Sequence, residues 1–252
     1  MILITRPNEE ALSFSLELIK YNLKSQIEPI LSFRVKNKDI KISKNKIFIV
    51  TSSQAVKALS KYKKKYNQLI NEGEFLVVGD KVSKNLKKIG VKKIVFRCEN
   101  TNKLLKELKL KKYFDRKYKF EYLCGSKIND DFLKHCKLQN ISIRKNILYD
   151  TIVTQKLSNK VIEYIKDRKI NVITFFSSYT ANSFIKLIQP DKDAYNIVMK
   201  DTYIMCLSKR IASQIINNHK NINKSLLKWS NSPNQQSLIK AILVLREKDL
   251  IK

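Results

Sequence analysis

The sequence predicts an α/β fold of two parallel-sheet domains, the first of them interrupted by the second. Three observations lead there. Short, wholly apolar stretches of strand length recur along the chain. Each is followed by a helix-period pattern instead of a two-residue hairpin turn. The number of such strand–helix units is uneven between the ends of the chain and its middle. Strands that read as continuous apolar runs are buried on both faces, and strands joined through single helices pair in parallel.

MILIT reads as a buried strand, and Asn8 or Glu9 begins a helix to about Tyr21, with Ala11, Leu12, Leu16, Leu18 and Ile19 as its apolar positions. EPILSFRV, Glu28–Val35, is an extended segment. KIFIVT, EFLVVG, KKIVFR and FEYLCG are strands, followed by helices centred near residues 55–69, 81–89, 102–110 and 130–138. ISIRKNILYDTIV is a second extended segment; NVITFF and TYIMCL are strands, and Ala181–Leu187, Ser208–Asn217 and Gln236–Leu245 are helices. The middle of the chain thus holds about four units, while the end has two clear strands and lacks a third. The strand and helix at residues 1–22 supply the missing piece. The expected organisation is a discontinuous domain of residues 1–35 and 151–252, with residues 36–150 inserted as a second domain. The chain would cross at Pro29–Arg34 and Leu148–Val153, and a ligand cleft is expected between the domains.

At 252 residues, 43% apolar and 29% charged, the chain can bury a sizeable core and is not disordered in composition. No run approaches the roughly 18 apolar residues of a membrane span. The N-terminus enters a strand at once and has no signal-peptide pattern. Four cysteines without a CxxC spacing suggest free thiols in a reducing compartment, so a cytoplasmic location is expected. The net charge of +29, of which +19 lies in residues 36–150, favours polyanions. A nucleic-acid-binding α/β protein is therefore an alternative. Against it, the excess comes from 43 Lys and only 8 Arg, few for bidentate base contacts.

Several chemistries lose their support. His135 and His219 are the only histidines and have no metal-ligand spacing, so structural roles are expected for both. Asp130 and Asp131 read as the acidic start of a helix. GxxxxGK[ST], GxGxxG and GxSxG are all absent. What remains is a set of strand-to-helix junctions. Thr51, Ser52 and Ser53, and again Ser177 and Ser178, stand where a hydroxyl can cap the next helix while free amides point outward. Taken singly, each is explained by capping, worth about 1 kcal/mol. Their recurrence at corresponding strand ends in both halves sets anion binding beside capping as an equal alternative. Gly79, before Ser83, permits close backbone approach. Arg6, and Lys209 with Arg210, are cations at junctions of the same kind. Tyr149 lies in the second crossing, either packed there or offering its hydroxyl as a weak acid.

These segments in this order resemble the uroporphyrinogen-III synthase family. The resemblance is carried by ILITRP, EPILSF, IVTSSQAVKAL, VVGDKVSKNLKKIG, YLCG, LYDT, ITFFSSYTANSF and SPNQQSLIKAI, and covers nearly the whole chain. It implies two three-layer, flavodoxin-like domains joined by a two-stranded β ladder, the first discontinuous. It implies a flexible, polycarboxylate linear tetrapyrrole, hydroxymethylbilane, as substrate. The terminal hydroxyl leaves as water, and ring D is attacked at its substituted carbon, passes through a spiro intermediate and closes inverted. No metal or cofactor is implied. The family's tyrosine falls on Tyr149, as helper of the departing hydroxyl. Arg6, Thr51, Ser52, Ser53, Gly79, Ser83, Gly125, Ser177, Ser178, Lys209 and Arg210 fall on the substrate-binding edges. The chain departs from the family at Val82, where threonine is common, and at Ser208–Ala212, which lacks the glycine and threonine of Gly-x-x-Thr-Ala. Cys124 replaces an arginine frequent before Gly125. A monomer is expected, with transient contact to hydroxymethylbilane synthase. A non-catalytic tetrapyrrole- or anion-binding relative is the remaining alternative.

Overall fold

The computed structural model describes residues 1–43, 45–110, 118–128 and 131–251. The chain forms two compact units, Met1–Ser32 with Ile152–Lys252, and Phe33–Thr151. Asp130 lies outside the described residues.

The first unit has a five-stranded parallel sheet in the order β11-β10-β9-β1-β2. Its strands are β1 (Ile2–Ile4), β2 (Ser25–Ile27), β9 (Val172–Phe175), β10 (Tyr203–Cys206) and β11 (Leu227–Trp229). Alternate residues point to opposite faces. Leu3, Ile173, Phe175, Ile204 and Cys206 face the helices α7 (Asn159–Lys166), α8 (Ser178–Ile188), α9 (Lys192–Lys200) and α10 (Lys209–Asn218). Ile2, Ile4, Val172 and Met205 face α1 (Asn8–Ile19) and α11 (Gln235–Glu247). Two buried hydroxyls stitch β1 to β9, Thr5 Oγ1 donating to the Thr174 carbonyl at 2.7 Å and Thr174 Oγ1 to that of Leu3 at 3.0 Å.

The second unit has six strands in the order β3-β8-β7-β4-β5-β6. They are β3 (Leu31–Val35), β4 (Lys46–Val50), β5 (Glu74–Val78), β6 (Lys93–Cys98), β7 (Lys119–Gly125) and β8 (Ile143–Val153). From β8 to β6 all neighbours are parallel. The bonds from the Lys36 amide to the Leu148 carbonyl and from the Thr154 amide to the Ile30 carbonyl run in opposite senses along the chain, so β3 lies antiparallel to β8. Phe48, Val50, Phe75, Val77 and Leu123 pack against α2 (Ser53–Lys61), α3 (Asn67–Glu72) and α4 (Asp80–Ile89). Ile47, Ile49, Leu76, Tyr122 and Cys124 pack against α5 (Thr101–Leu108) and α6 (Asp131–Leu138).

The structure differs from the sequence reading in several local respects. The helix expected over residues 55–69 is two, α2 and α3, separated by a lysine-rich stretch in which Lys61 and Lys65 would repel at i,i+4. In α1 the buried residues are Ala11, Phe14 and Leu18, whereas Leu12, Leu16 and Ile19 are 57%, 62% and 59% exposed. At about 100° per residue these two sets are centred roughly 130° apart, and only the first meets the sheet. The extended segment Glu28–Val35 begins its strand at Leu31, and β2 and β11 were not expected. Each of these two strands has three residues, too few to show a period, and exists because a buried neighbour offers it hydrogen bonds. Helices α7 and α9 were missed for the related reason that their buried faces hold two and three residues.

All four cysteines are free and buried, and burial pushes Cys136 up to about 11 and Cys206 up to about 12. At pH 8 these thiols stay protonated and shielded. Titration with Ellman's reagent should therefore label the native protein slowly and release four equivalents once it is denatured.

Candidate active site

Parallel strands deliver the chain to a helix at their carboxyl ends, so every helix start following a strand lies along one edge of its sheet. Ligands in such sheets bind where the strand order reverses. Numbered along the chain, the first unit reads 2-1-3-4-5, with its reversal between β1 and β9. The second reads 3-2-1-4-5 from β6 to β8, with its reversal between β4 and β7. Most of the residues singled out from sequence fall at these two places.

In the second unit the turn from β4 to α2 is held by two tyrosines. Thr51 Oγ1, just past β4, and the hydroxyl of Tyr122, in the middle of β7, are 2.7 Å apart. Ser52 Oγ and the Tyr149 hydroxyl, on β8, are 3.1 Å apart. Ser52 also caps α2, accepting from the Gln54 amide at 3.1 Å. Ser53 is therefore the first helical residue and not the cap, and its amide has no place in the helical ladder. No acidic residue stands in the first turn of α2, so the positive end of its dipole is not neutralised from within the helix.

Tyr149 is 6% exposed, and the ring of Phe33 meets it edge-on at 5.5 Å. Burial raises its phenol above the ordinary value of 10.0, opposed by the hydrogen bond with Ser52. It is a neutral phenol at physiological pH, suited to give a proton and not to act as a phenolate. Burial drives Tyr122 further, up to about 12, against the hydrogen bond with Thr51. Asp150, next to Tyr149 on β8, is drawn below the carboxylate range chiefly by its hydrogen bond with Lys36, whose Nζ lies 3.0 Å away.

Gly125 serves Tyr149. A Cβ at Gly125 would stand 2.5 Å from Cε2 and 2.6 Å from Cζ of the Tyr149 ring. The β7–β8 register shifts at this point, and the Ser126 amide bonds the Tyr149 carbonyl at 2.9 Å. Gly79 has a different reason to be glycine. Its φ of +95 is open to few other residues, while a Cβ would meet only Val82 Cγ2, at 3.8 Å. Ser83, by contrast, is 3% exposed and packed into its unit, which withdraws its hydroxyl from solvent.

In the first unit Ser177 caps α8, accepting from the Thr180 amide at 3.1 Å, and Ser178 is the first helical residue. Ser208 caps α10, where Lys209 and Arg210 are exposed and form no ion pair among the described residues. Neither α8 nor α10 has an acid in its first turn, and α10 carries two cations where the dipole disfavours them. Arg6 follows β1. Its guanidinium lies 4.0 Å above the Phe176 ring and donates to Gln235 Oε1 at 2.9 Å. Burial draws this guanidinium down from its usual range, with Glu10 opposing. The ring of Phe176 is itself held edge-on by Phe14 at 5.3 Å. Among the described residues no group of His, Cys, Asp and Glu could hold a metal ion. His135 bonds the Asp131 carbonyl, and His219 bonds Asn182.

A family model described as Uroporphyrinogen-III synthase HemD matches residues 25–222. The chain belongs to the uroporphyrinogen-III synthase family. Its fold is similar to that of uroporphyrinogen-III synthetase from Helicobacter pylori, with a TM-score of 0.64 at 12% identity over 97% of this chain and 99% of that one. It is also similar to a mutant uroporphyrinogen III synthase from the extremely thermophilic bacterium Thermus thermophilus, with a TM-score of 0.60 at 10% identity over 98% of both chains. No curated protein matches the sequence. Nothing in these comparisons supports the nucleic-acid-binding alternative.

Within this uroporphyrinogen-III synthase fold, the structure brings Thr51, Ser52, Tyr149 and Gly125 together in one unit. Arg6, Ser177 and Ser178 lie beside the reversal of strand order in the other, with Lys209 and Arg210 one strand further along its sheet. Sequence reasoning missed Tyr122, Phe176 and Gln235 as members of the set. Each stood inside or beside a segment that carried the family resemblance, Phe176 just after a strand, Gln235 at a helix start and Tyr122 within a strand. That position was the available signal. Replacing Gly125 by alanine is expected to displace the Tyr149 ring and cost about 1–3 kcal/mol of stability. Denaturant unfolding, with tyrosine absorbance as a second readout, measures both effects.

Proposed function

We infer that the chain is a working uroporphyrinogen-III synthase, a lyase of heme biosynthesis that closes hydroxymethylbilane to uroporphyrinogen III with loss of water and inversion of ring D. The observation that carries the reading beyond family membership is the Ser52–Tyr149 pair, a buried neutral phenol beside an acid-free helix start. The substrate is a polyanion that must lose a hydroxyl, and these are the two groups that task requires.

In this reading the helix starts bind carboxylates. The amides at Ser53 and Ser178 and the cations Arg6, Lys209 and Arg210 supply positive potential along the carboxyl edges of both sheets. Gly79 allows the backbone to approach the substrate. An anion near Lys209 and Arg210 relieves the conflict between these cations and the positive end of α10. The Tyr149 phenol donates a proton to the departing hydroxyl, which leaves as water, and ring closure follows at the substituted carbon. The protein's further task is to hold the bilane so that inverted closure outruns the spontaneous, unrearranged one. Positioning and electrostatics suffice for that. Ser83 is left out of the set because of its burial.

The reading extends to a cytoplasmic, monomeric enzyme that takes its unstable substrate from hydroxymethylbilane synthase in a transient contact. The four free thiols are what supports a reducing compartment. Among the described residues no helix is long and apolar enough to cross a membrane.

The decisive assay generates the bilane in situ with a hydroxymethylbilane synthase and measures the ratio of isomer III to isomer I. The protein is expected to raise that ratio well above the enzyme-free control; an unchanged ratio overturns the reading. With the wild type active, Tyr149→Phe should lower kcat by about 10²-fold, the lower end of general acid catalysis, with KM little changed. Because the folded phenol titrates above 10.0, the wild-type kcat should show no descending limb from Tyr149 between pH 7 and its ordinary value.

A further inference from the structure

Tyr122 is a buried hydroxyl that the reaction as described does not use. It sits on the sheet face covered by α5 and α6, while Tyr149 sits on the face covered by α2, α3 and α4. The two rings belong to different cores, yet their hydroxyls end on successive residues of one turn, Thr51 and Ser52. Consecutive residues leaving a strand point to opposite sides, so the β4–α2 turn is gripped from both faces of the sheet at once. The grip lies at the reversal of strand order, where β4 and β7 are neighbours. Tyr122 is 6% exposed, its ring is held edge-on by Phe132 at 5.8 Å, and Thr51 gives its hydroxyl a 2.7 Å partner.

We propose that Tyr122 is a positioning residue for the reaction: by fixing Thr51 from the opposite face of the sheet, it fixes Ser52 and thereby the hydroxyl of Tyr149. Thr51 and Ser52 share a peptide bond, so a rotation of the turn that released one would move the other. Without the Thr51–Tyr122 bond, Ser52 still caps α2, but the turn is held from one face only, and the Tyr149 hydroxyl loses a fixed partner. Thr51 therefore acts as a strut of the turn as well as belonging to the substrate edge. The proposal rests on the reading of Tyr149 as proton donor.

The test compares Tyr122→Phe, Thr51→Val, the double variant and Thr51→Ser, assayed for isomer III formation beside the wild type and Tyr149→Phe. Tyr122→Phe removes one oxygen and is expected to lower kcat by about three- to tenfold, the worth of one hydrogen bond, with KM within about twofold. The double variant should be no slower than Thr51→Val alone, because both remove the same bond. Thr51→Ser, which keeps the hydroxyl, should restore most of the rate lost in Thr51→Val. Unchanged kcat in Tyr122→Phe with only a lowered Tm overturns the proposal, because that is what a purely structural tyrosine would show. Additive losses in the double variant overturn it as well. A full-speed Tyr149→Phe instead removes the reading on which the proposal stands, and a wild type that does not raise the isomer III ratio removes the assigned reaction.

Discussion

Parallel pairing of buried strands is the constraint on which the rest of this protein depends. An apolar strand such as Ile47–Val50, buried on both faces, can be paired in parallel only if the chain returns through a helix outside the sheet. That requirement aligns the carboxyl ends of the strands in each unit and places the helix starts beside them. Each such start leaves amides without helical partners and a partial positive charge. A row of anion-binding positions therefore results from folding a sheet of this kind, before any residue is selected for a substrate. Sequence then modulates the row. Asp80 and Asp131 stand in the first turns of α4 and α6, whereas α2, α8 and α10 have no acid there.

The same constraint explains why the chemistry needs little else. Capping by Ser52, Ser177 and Ser208 satisfies one amide at each start and leaves others available. The cap at Ser52 has a second role, because the same hydroxyl meets Tyr149. One oxygen thus couples the cap of α2 to the placement of the Tyr149 hydroxyl. Gly125 makes the coupling sterically possible, since the Tyr149 ring occupies the volume where a Cβ would lie. Departures from the family pattern at Val82 and Ser208–Ala212 are compatible with this arrangement. Val82 is a packed residue of the α2–α4 core, and the 208–212 segment keeps its cap while presenting Lys209 and Arg210.

Burial and charge are divided unevenly over the molecule. Most lysines among the described residues occupy exposed positions, where ion pairs such as Lys103 with Glu99 and Lys20 with Glu17 contribute little. Arg6 is different. Its guanidinium is half-buried, stacked on an aromatic ring that another aromatic ring supports, and bonded to the start of α11. Such a cation is held in one orientation by its ring and amide partners, unlike an exposed lysine.

The amino-acid sequence by itself determined the fold class, the strands of four or more residues and the junction residues. These follow from local patterns, because continuous apolar runs and a serine before a helix period carry their meaning within a few positions. The uneven count of strand–helix units is what led to the expectation of one domain interrupted by another. The three-residue strands β2 and β11 were not, because polar residues such as Ser25 and Lys228 become strand only through pairing with a buried neighbour. Nor could spacing show that Leu12, Leu16 and Ile19 stay exposed while Phe14 goes inside, since both sets have helical period. Tertiary structure alone decided the partners of the tyrosines. Residues 51 and 122, and 52 and 149, meet because β4, β7 and β8 are adjacent in the sheet, and adjacency across helical crossovers is set by how the whole core packs.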